Sequence, residues 1–366
     1  MIQVAENKAI SSSPMASMQE GGHEQVVYCY DESTGLKALI AIHNTVLGPA
    51  LGGTRFWNYN NEAEALRDVL RLSRGMTYKS AISGLNLGGG KAVIIGDSSK
   101  LKNEALMRRF GKFVDSLGGK YITAEDVGVD TRDMEFIRME TRHVTGLPEW
   151  MGGGGNPSPV TAYGVYMGIK ASAKIAYGTD NLEGKVIGVQ GIGHVGENVV
   201  MHLVKEGAKV FITDINKDRM YKVASLHGVE AVENASDFLS RPMDIYSPCA
   251  LGATVNSDSL SVLKCSVIAG AANNQLEDEN IHGPQLVEKG IVYAPDFVIN
   301  AGGIINVYSE LQGYNREMAL AQAEKIYDTV YQIVKLSQKE NISAQKVAMS
   351  LAQQRIDQMA KIKQTR

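Results

Sequence analysis

The sequence predicts an α/β protein of two domains, the second of which is a doubly wound parallel sheet covered by helices on both faces. Three observations indicate this fold. The 366 residues exceed the usual length of one domain. The stretch GLPEWMGGGGNPSP, residues 146–159, is rich in glycine and proline and is typical of a linker. Beyond it, short apolar runs alternate with helical ones, which favours parallel strands.

The domain boundaries follow from where these elements lie. We expect a loosely held extension over residues 1–22, an α/β domain over 23–150 and a second domain over 151–334. The helices of 335–366 are expected to pack back on the first domain, because so long a terminal segment needs a surface to cover. The chemistry is expected in a cleft between the two domains.

Composition disfavours several classes of protein. The 37 Lys and Arg residues against 40 Asp and Glu give a net charge of −3, so nothing indicates nucleic acid or an anionic membrane as a partner. Neither a membrane-spanning run nor a signal peptide is expected. Cys29, Cys249 and Cys265 are scattered and odd in number, which favours a reducing cytoplasm over a disulfide framework. The histidines are dispersed, and no metal site is expected.

The first domain is expected to mix strands and helices. Strands are predicted from apolar runs at residues 24–30, 36–42, 76–82 and 91–95, and KYITAEDVG, residues 120–128, is expected to form a strand and a loop. A helix over 62–74 has its apolar residues on one face and ends at Gly75. Asn103 is expected to cap another helix. Asp130 is the better cap for the helix that follows it, which favours a functional role for Asp126.

The second domain contains the strongest general motif, KVIGVQGIGHVGENVVMHLVKEGAKVFITD. A strand ends at Gly191, which makes a tight turn; Gly193 admits a pyrophosphate, and Gly196 lets the next helix pack closely. The helix N-terminus favours phosphate. Asp214 ends the following strand, where an acid binds the adenine ribose and disfavours a 2′-phosphate, so NAD is predicted over NADP. A glycine turn without ligand, or a methyltransferase, remains an alternative.

Two lysines lie near a glycine-rich stretch, MTYKSAISGLNLGGGKAVII. If the glycines form a loop that turns the chain back, Lys79 and Lys91 come close together on neighbouring strands. Burial and a like-charged neighbour disfavour the charged form of an amine, so one lysine can act as a general base. The other, still charged, would hold an anionic group. This division suits a small carboxylate that bears an amine.

Several segments resemble the glutamate/leucine/phenylalanine/valine dehydrogenase family, namely GPALGGTRFW, RLSRGMTYKSAISGLNLGGGKAVIIGD, YITAEDVG, PVTAYGVY and PDFVINAGGIINV. They follow in the family's order from about Gly35 onward, and within the family they are most similar to the leucine dehydrogenases. The resemblance implies reversible, NAD-dependent oxidative deamination of an L-amino acid to a 2-oxo acid and ammonia. It also implies a symmetric homo-oligomer, often an octamer.

Roles at the substrate end are carried over from the resemblance. Lys91 would be the general base that activates water, and Asp126 would bind the amino group and relay protons. Lys79 would bind the substrate carboxylate, and three further residues would line that end: Gly52, Gly53 and Met76. Each lysine has a plainer interpretation as a surface residue of a strand, and Asp126 as a helix cap.

Roles at the cofactor end come partly from the motif and partly from the resemblance. The residues expected to bind the cofactor are Gly191, Ile192, Gly193, His194, Val195, Gly196, Asp214, Thr161, Asn273 and Asn274. Asn273 would also contact substrate, although both asparagines are turn residues by type. His194 and Gly196 depart from relatives, which often carry asparagine and alanine there. For His194 the plainer interpretation, a solvated or packed loop residue, is preferred over a pH-dependent contact to the cofactor.

The resemblance assigns the far end of the substrate pocket to Leu51, Ala124, Ile304 and Val307. All are apolar, so a second carboxylate would be buried without a partner. Leucine is therefore the expected substrate, with isoleucine and valine also accepted. Ile304 and Val307 are as readily explained as helix core. The alternatives are a phenylalanine- or valine-preferring relative, a regulatory NAD-binding protein without catalysis, and a structural oligomer.

Overall fold

The computed structural model describes residues 13–364 and divides into two compact units. The first contains the chain up to Asn156, then Val307–Asn315 and the segment from Ala352 onward. The second contains Pro157–Asn306 and Arg316–Leu351. The division thus differs from the expected boundary at residue 150, and it assigns 335–351 to the second unit rather than the first. Most of the expected extension, residues 1–12, lies outside the described residues.

The first unit is built on a mixed sheet of five strands. They are β1 (Gln25–Asp31), β2 (Leu36–Asn44), β3 (Ala50–Trp57), β4 (Gly88–Ile95) and β5 (Tyr121–Glu125). Their order is β1-β2-β4-β3-β5. Strands β3, β4 and β5 are parallel, whereas β1 and β2 run antiparallel to their neighbours. Strand β3, from the segment ALGGTRFW, was not among the predicted strands; its paired glycines hide the usual pattern.

Helices cover both faces of this sheet. They are α1 (Pro14–Gly21), α2 (Glu62–Ile82), α3 (Ser98–Leu101), α4 (Glu104–Ser116) and α5 (Thr131–Arg138), followed by a 3₁₀ turn at Glu149–Met151. The predicted caps are confirmed, because the side chains of Asn103 and Asp130 accept hydrogen bonds from backbone N–H groups of α4 and α5. The part of the extension that forms α1 is tied down, since the carbonyl of Gly21 contacts His43 Nε2 at 3.1 Å.

Two predictions around the glycine-rich stretch are wrong. The expected strand 76–82 is the continuation of α2, which runs through Gly75 to Ile82. The expected glycine loop is the first part of strand β4. The helix was missed because the residues it buries against the glycines are small and polar, Ser73, Thr77 and Ser80, so apolar periodicity fades there.

The second unit contains a parallel sheet of six strands. They are β6 (Val186–Gln190), β7 (Lys209–Thr213), β8 (Glu230–Ala231), β9 (Ile245–Pro248), β10 (Val267–Ile268) and β11 (Val292–Tyr293). Their order, β11-β10-β9-β6-β7-β8, is that of a Rossmann sheet, which confirms the predicted α/β fold class. In such sheets ligands bind where the strand order reverses, here between β6 and β9.

Helices connect and cover these strands, and the chain ends in helices as predicted. They are α6 (Ser158–Tyr177), α7 (His194–Lys205), α8 (Lys217–His227), α9 (Ala235–Ser240), α10 (Ser257–Val262), α11 (Glu279–Glu288), α12 (Asp296–Ile299), α13 (Gly302–Glu310), α14 (Arg316–Glu324), α15 (Ile326–Glu340) and α16 (Ala344–Gln364). Across the described part of the chain, none of the helices is both long and apolar enough to span a membrane.

Candidate active site

Strand β4 presents Lys91 on the face of the sheet that α2 covers. Side chains alternate along a strand, so Gly89, Lys91 and Val93 share one face. A methyl group on Gly89 would lie 2.1 Å from Thr77 Oγ1 of α2, which identifies that face. Lys91 is 7% exposed and therefore lies in the interior of the unit rather than on its surface.

Asp126, the residue that follows strand β5, contacts Lys91. Lys91 Nζ lies 2.6 Å from Asp126 Oδ2, with the two side chains 8% and 22% exposed. Arg55 of β3 approaches the same oxygen, its Nε 3.3 Å away. Three parallel strands thus deliver one acid and two cations to a single point. This arrangement follows from register, because Gly53 pairs with Ala124 and places Arg55 level with Asp126.

The electrostatics of this group favour an ionised Asp126. Burial raises the pKa of the carboxyl group, but Lys91 and Arg55 together outweigh burial and hold the pKa below its ordinary value. The sequence had suggested that a second lysine would be the charged neighbour of Lys91. The structure shows an acid in contact with Lys91 instead, and it places Lys79 on helix α2 rather than on an adjacent strand.

The glycines of this region let backbone segments approach closely. A methyl group on Gly89 would lie 2.2 Å from the backbone nitrogen of Thr77 and 2.5 Å from the carbonyl of Ser73, so only glycine lets α2 lie on β4. A methyl group on Gly53 would lie 2.9 Å from Asp126 Cβ. Gly53 therefore leaves the space in which Asp126 reaches Lys91.

Most of the other substrate residues predicted in the first unit lie on helix α2 or on the face of the sheet that α2 covers. Lys79 and Met76 are half-buried residues of the last turns of α2. The register pairs Leu51 with Gly89 and Ala124 with Gly53, so both share the face of Lys91. Leu51 and Ala124 are 1% and 6% exposed. Two predicted residues differ: Gly52 lies on the same strand but alternates to the opposite face, and Val307 is a half-buried residue of α13.

The glycine-rich turn of the second unit has the geometry of a phosphate site. Gly191 has φ +96°, and a methyl group there would lie 2.5 Å from Ala250 Cβ. A methyl group on Gly196 would lie 2.0 Å from the carbonyl of Gly191, so this glycine lets α7 close on the turn. Gly193 is exposed, with no atom within 4 Å of an added methyl. Open backbone at the start of α7 suits an approaching phosphate.

Asp214, the residue predicted to bind the ribose, braces this turn. Its Oδ2 accepts a hydrogen bond from the Ile192 N–H at 2.6 Å, and its Oδ1 accepts one from Asn216 at 2.8 Å. His194 is the exposed first residue of α7, and Val195 follows it half-buried. The acid and the open glycine follow the carboxyl ends of the neighbouring parallel strands β6 and β7, which is where a dinucleotide binds in sheets of this kind.

The remaining predicted residues of this unit lie at three other points. Asn273 and Asn274 are exposed in the loop after β10; Asn274 has φ +50°, and the Asn273 Oδ1 accepts a hydrogen bond from Asn300 at 2.7 Å. Thr161 lies in the first turn of α6, where its hydroxyl donates to the carbonyl of Pro157. Ile304 is a buried residue of α13.

Among residues 13–364, no group of three or more His, Cys, Asp and Glu residues is arranged to hold a metal ion.

Sequence reasoning missed the cation on β3. Arg55 contacts both Asp126 and Asp68, whose carboxylate also accepts a hydrogen bond from the Tyr59 hydroxyl. A signal was present, since Arg55 follows the glycine pair in LGGTRFW and a charged residue inside an apolar strand needs a partner. On the second unit, Arg219 was also missed; it donates to the Ile192 carbonyl and pairs with Glu197.

Comparison with known proteins gives consistent matches over nearly the whole chain. Residues 23–143 match the family model "Glu/Leu/Phe/Val dehydrogenase, dimerisation domain", and residues 211–363 match "Glutamate/Leucine/Phenylalanine/Valine dehydrogenase". The leucine dehydrogenase of Bacillus subtilis is 56% identical over 342 residues, which are 93% of each chain. The valine dehydrogenase of Streptomyces coelicolor is 47% identical over 92% of this chain and 93% of its own.

A solved structure of a relative has the same fold. The crystal structure of L-tryptophan dehydrogenase from Nostoc punctiforme aligns with a TM-score of 0.85 and 43% sequence identity, covering 95% of this chain and 99% of its own. These relatives differ in the amino acid that their names record.

Proposed function

Because the chain belongs to the glutamate/leucine/phenylalanine/valine dehydrogenase family, we propose that it catalyses NAD-dependent, reversible oxidative deamination of branched-chain L-amino acids, with leucine preferred over isoleucine and valine. Family membership makes the protein an amino-acid dehydrogenase, an oxidoreductase that acts on small molecules. In the proposed reaction the zwitterionic amino acid, NAD⁺ and water give the 2-oxo acid anion, ammonium, NADH and a proton.

The observation that carries the proposal is the buried pair of Lys91 and Asp126, 2.6 Å apart. A substrate ammonium group has the charge of Lys91 and can take Asp126 as its own partner. Lys91 would then exchange its counter-ion for a cationic neighbour and be released to act as the base. In that role Lys91 removes a proton from the water that attacks the iminium carbon. Asp126 carries protons to and from the substrate nitrogen.

Helix α2 supplies the proposed site for the other end of the substrate. Lys79 lies in its last turn and would hold the carboxylate, with Met76 on the same side of the helix. Gly53 leaves room between them and the acid. These roles rest on the resemblance in the motif MTYKSA and on the shared face of the sheet.

The residues proposed to hold NAD are on the second unit. The open backbone from Gly193 to Val195 suits its pyrophosphate, Asp214 suits its ribose hydroxyls, and Asn273 and Thr161 are proposed to contact the nicotinamide end. Bound NAD would supply the acceptor for the hydride from the substrate α-carbon. The carboxylate of Asp214 disfavours the 2′-phosphate of NADP, which supports the choice of NAD.

The proposed preference for branched aliphatic side chains depends on four apolar residues: Leu51, Ala124, Ile304 and Val307. None of them can pair with a second carboxylate, so glutamate would bury a charge without a partner. One methylene group changes discrimination by only about 1–3 kcal/mol, so isoleucine and valine should also react. The relatives named for valine and tryptophan make those substrates the alternatives.

Steady-state kinetics with a substrate panel and two lysine variants tests the proposal. Wild-type protein should reduce NAD with leucine at higher kcat/KM than with phenylalanine or glutamate. K91A should lower kcat by about 10²–10⁴-fold, the usual contribution of a general base, while NADH still binds. K102A is the matched control, because Lys102 pairs with Asp130 and Asp133 away from Asp126. Near-normal turnover in K91A would refute the assigned base.

We also propose that the protein is a symmetric homo-oligomer, and the resemblance implies eight subunits. Strand β1 lies at an edge of its sheet, and Tyr28 and Tyr30 on it are 51% and 62% exposed. The matching family model is described as a dimerisation domain. Mass measurement by light scattering on the purified protein tests this, and a monomer would contradict it.

For location we propose a reducing cytoplasm. Cys29, Cys249 and Cys265 form no disulfide, and burial raises the pKa of the Cys29 and Cys265 thiols to about 12, which keeps them protonated and unreactive. Fractionation of the source cells with an activity assay tests this, and activity confined to secreted or membrane fractions would contradict it.

A further inference from the structure

A chain of charged groups leads from the Lys91–Asp126 pair into helix α2. Arg55 Nε lies 3.3 Å from Asp126 Oδ2, and Arg55 Nη1 lies 2.9 Å from Asp68 Oδ2. The Tyr59 hydroxyl donates to the same Asp68 oxygen at 2.7 Å. One guanidinium group therefore bridges two carboxylates, one at the candidate active site and one on α2.

The bridge is sheltered and fixed at both ends. The side chains of Arg55 and Asp68 are 23% and 15% exposed. Burial first, and then the neighbouring Asp68, raises the pKa of Tyr59, so its hydroxyl remains a donor. The planar fork of arginine can hold two acids in fixed directions, which a lysine cannot do. The position of Arg55 is thus determined by β3 and by α2 together.

Lys91 and Arg55 both contact Oδ2 of Asp126, but only one of these contacts breaks in the proposed reaction. Lys91 must release its contact when the substrate ammonium group arrives. Arg55 has no such role, because it is held by Asp68, which in turn accepts a hydrogen bond from the Tyr59 hydroxyl. It therefore remains as the partner that keeps Asp126 oriented and ionised while Lys91 acts as a base.

We propose that Arg55 is a positioning residue, which acts on the reaction through Asp126 and is itself anchored by Asp68 and Tyr59. This inference rests on the proposed function, since it assigns Arg55 a role in the same site. Electrostatics agree with it: Arg55 is among the groups that lower the pKa of Asp126 against the effect of burial.

The test compares R55M, R55K and R71M with wild-type protein. R55M removes the charge and keeps most of the apolar stem, and R55K keeps the charge without the fork. R71M is the matched control, because Arg71 pairs with Asp68 Oδ1 at 3.1 Å from the exposed side and does not contact Asp126. Each variant is assayed for kcat and KM with leucine across pH, for NADH binding by fluorescence, and for its melting temperature.

The expected result separates positioning from stability. R55M should lower kcat by about 100-fold, the effect of a misplaced catalytic group, with NADH binding unchanged. The acid limb of its kcat/KM profile should move to higher pH by about one unit, because losing a nearby cation makes Asp126 easier to protonate. R55K should recover part of the lost kcat, and R71M should match wild-type protein in both kcat and pH profile.

Two other results would refute different claims, the first the role of Arg55 and the second the proposed function. If wild-type protein turns over leucine and R55M keeps its kcat and pH profile while only its melting temperature falls, Arg55 is structural and the inference fails. If wild-type protein oxidises no L-amino acid on the panel, the proposed function fails first. A crystal structure of R55M then decides about Arg55 without any assay, and an unchanged Lys91–Asp126 contact would refute the positioning role.

Discussion

Gly88–Gly90 in the first unit and Gly191–Gly196 in the second are both glycine-rich, yet added methyl groups would meet different surroundings. At Gly89 a methyl would overlap the backbone of α2, whereas at Gly193 it would meet nothing within 4 Å. The first cluster is buried in a strand and lets two elements pack together. The second includes an exposed turn that leaves space at its surface. Gly89 therefore serves close packing in the first unit, whereas Gly193 leaves open backbone in the second, between two glycines that are themselves closely packed.

Substituting one glycine from each cluster tests this contrast most directly. G89A forces a methyl group to within 2.2 Å of the Thr77 nitrogen, and backbone cannot yield as a side chain does. We expect a loss of about 3 kcal/mol in the free energy of unfolding, or failure to fold. G193A should unfold at the wild-type urea concentration and weaken NADH binding instead. Equal stability of G89A and wild-type protein would contradict the packing role.

The same contrast explains how much of the fold the sequence predicts. The Rossmann half follows general local rules: a strand, a glycine turn, a helix and a terminal acid, all of which the structure contains in order. The first half does not, because the use of Gly88–Gly90 depends on a partner distant in sequence. A helix that buries Ser73 and Thr77 against bare glycine carries no apolar periodicity, so local pattern alone indicates a strand or loop.

The candidate site shows the same limit. The motifs identify Lys91 and Asp126 as residues of interest, and the structure places them in contact. The sequence does not show that their neighbour is Arg55, because that contact depends on parallel register between β3 and β5. Nor does it show that Lys79 lies on a helix. The sequence therefore predicts which residues belong to the site, whereas the contacts between them depend on the tertiary structure.

A charge change at the exposed turn should affect cofactor binding more than folding. D214N keeps one oxygen for the Ile192 N–H but removes the charge that we propose binds the ribose and repels a 2′-phosphate. We expect kcat/KM for NAD to fall by about 100-fold and the preference for NAD over NADP to shrink, a loss of about 2.7 kcal/mol. D218N, an exposed acid in the first turn of α8, is the control. An unchanged cofactor preference in D214N would contradict this role.

In the first unit, the buried side chain of His43 should make the free energy of unfolding depend on pH. His43 Nδ1 lies 2.8 Å from the hydroxyl of Thr77, the residue that Gly89 accommodates. Burial, with additional effects of His23 and Arg74, lowers the pKa of His43 to about 4. The unfolded chain, with an ordinary pKa near 6.5, therefore binds more protons between these two values, and stability falls as pH decreases through that window.

The size of this effect can be isolated with one variant. At pH 5, the folded state should lose about 2 kcal/mol relative to pH 7 through His43 alone. H43Q lacks the titrating ring, so its loss over the same range should be smaller by about that amount. Urea unfolding of both proteins at the two pH values measures the difference, and because carboxylates titrate in both proteins, their contribution cancels. Equal losses would show that His43 is protonated in the fold without penalty.

The C-terminal end of α2 is held by contacts with α16 and carries Lys79, the proposed ligand of the substrate carboxylate. The smallest of the predicted effects is expected from a substitution here. Arg355 of α16 donates to the carbonyls of Ala81 and Leu85 at 2.9 and 2.8 Å, just beyond Lys79. Removing it in R355A frees that helix end, so KM for leucine should rise about tenfold, the cost of lost hydrogen bonds to a charged group, while kcat changes little. K346A, an exposed residue of α16, is the control. A fall in kcat with unchanged KM would instead link this helix end to Lys91, and close packing would then serve the chemical step rather than substrate binding.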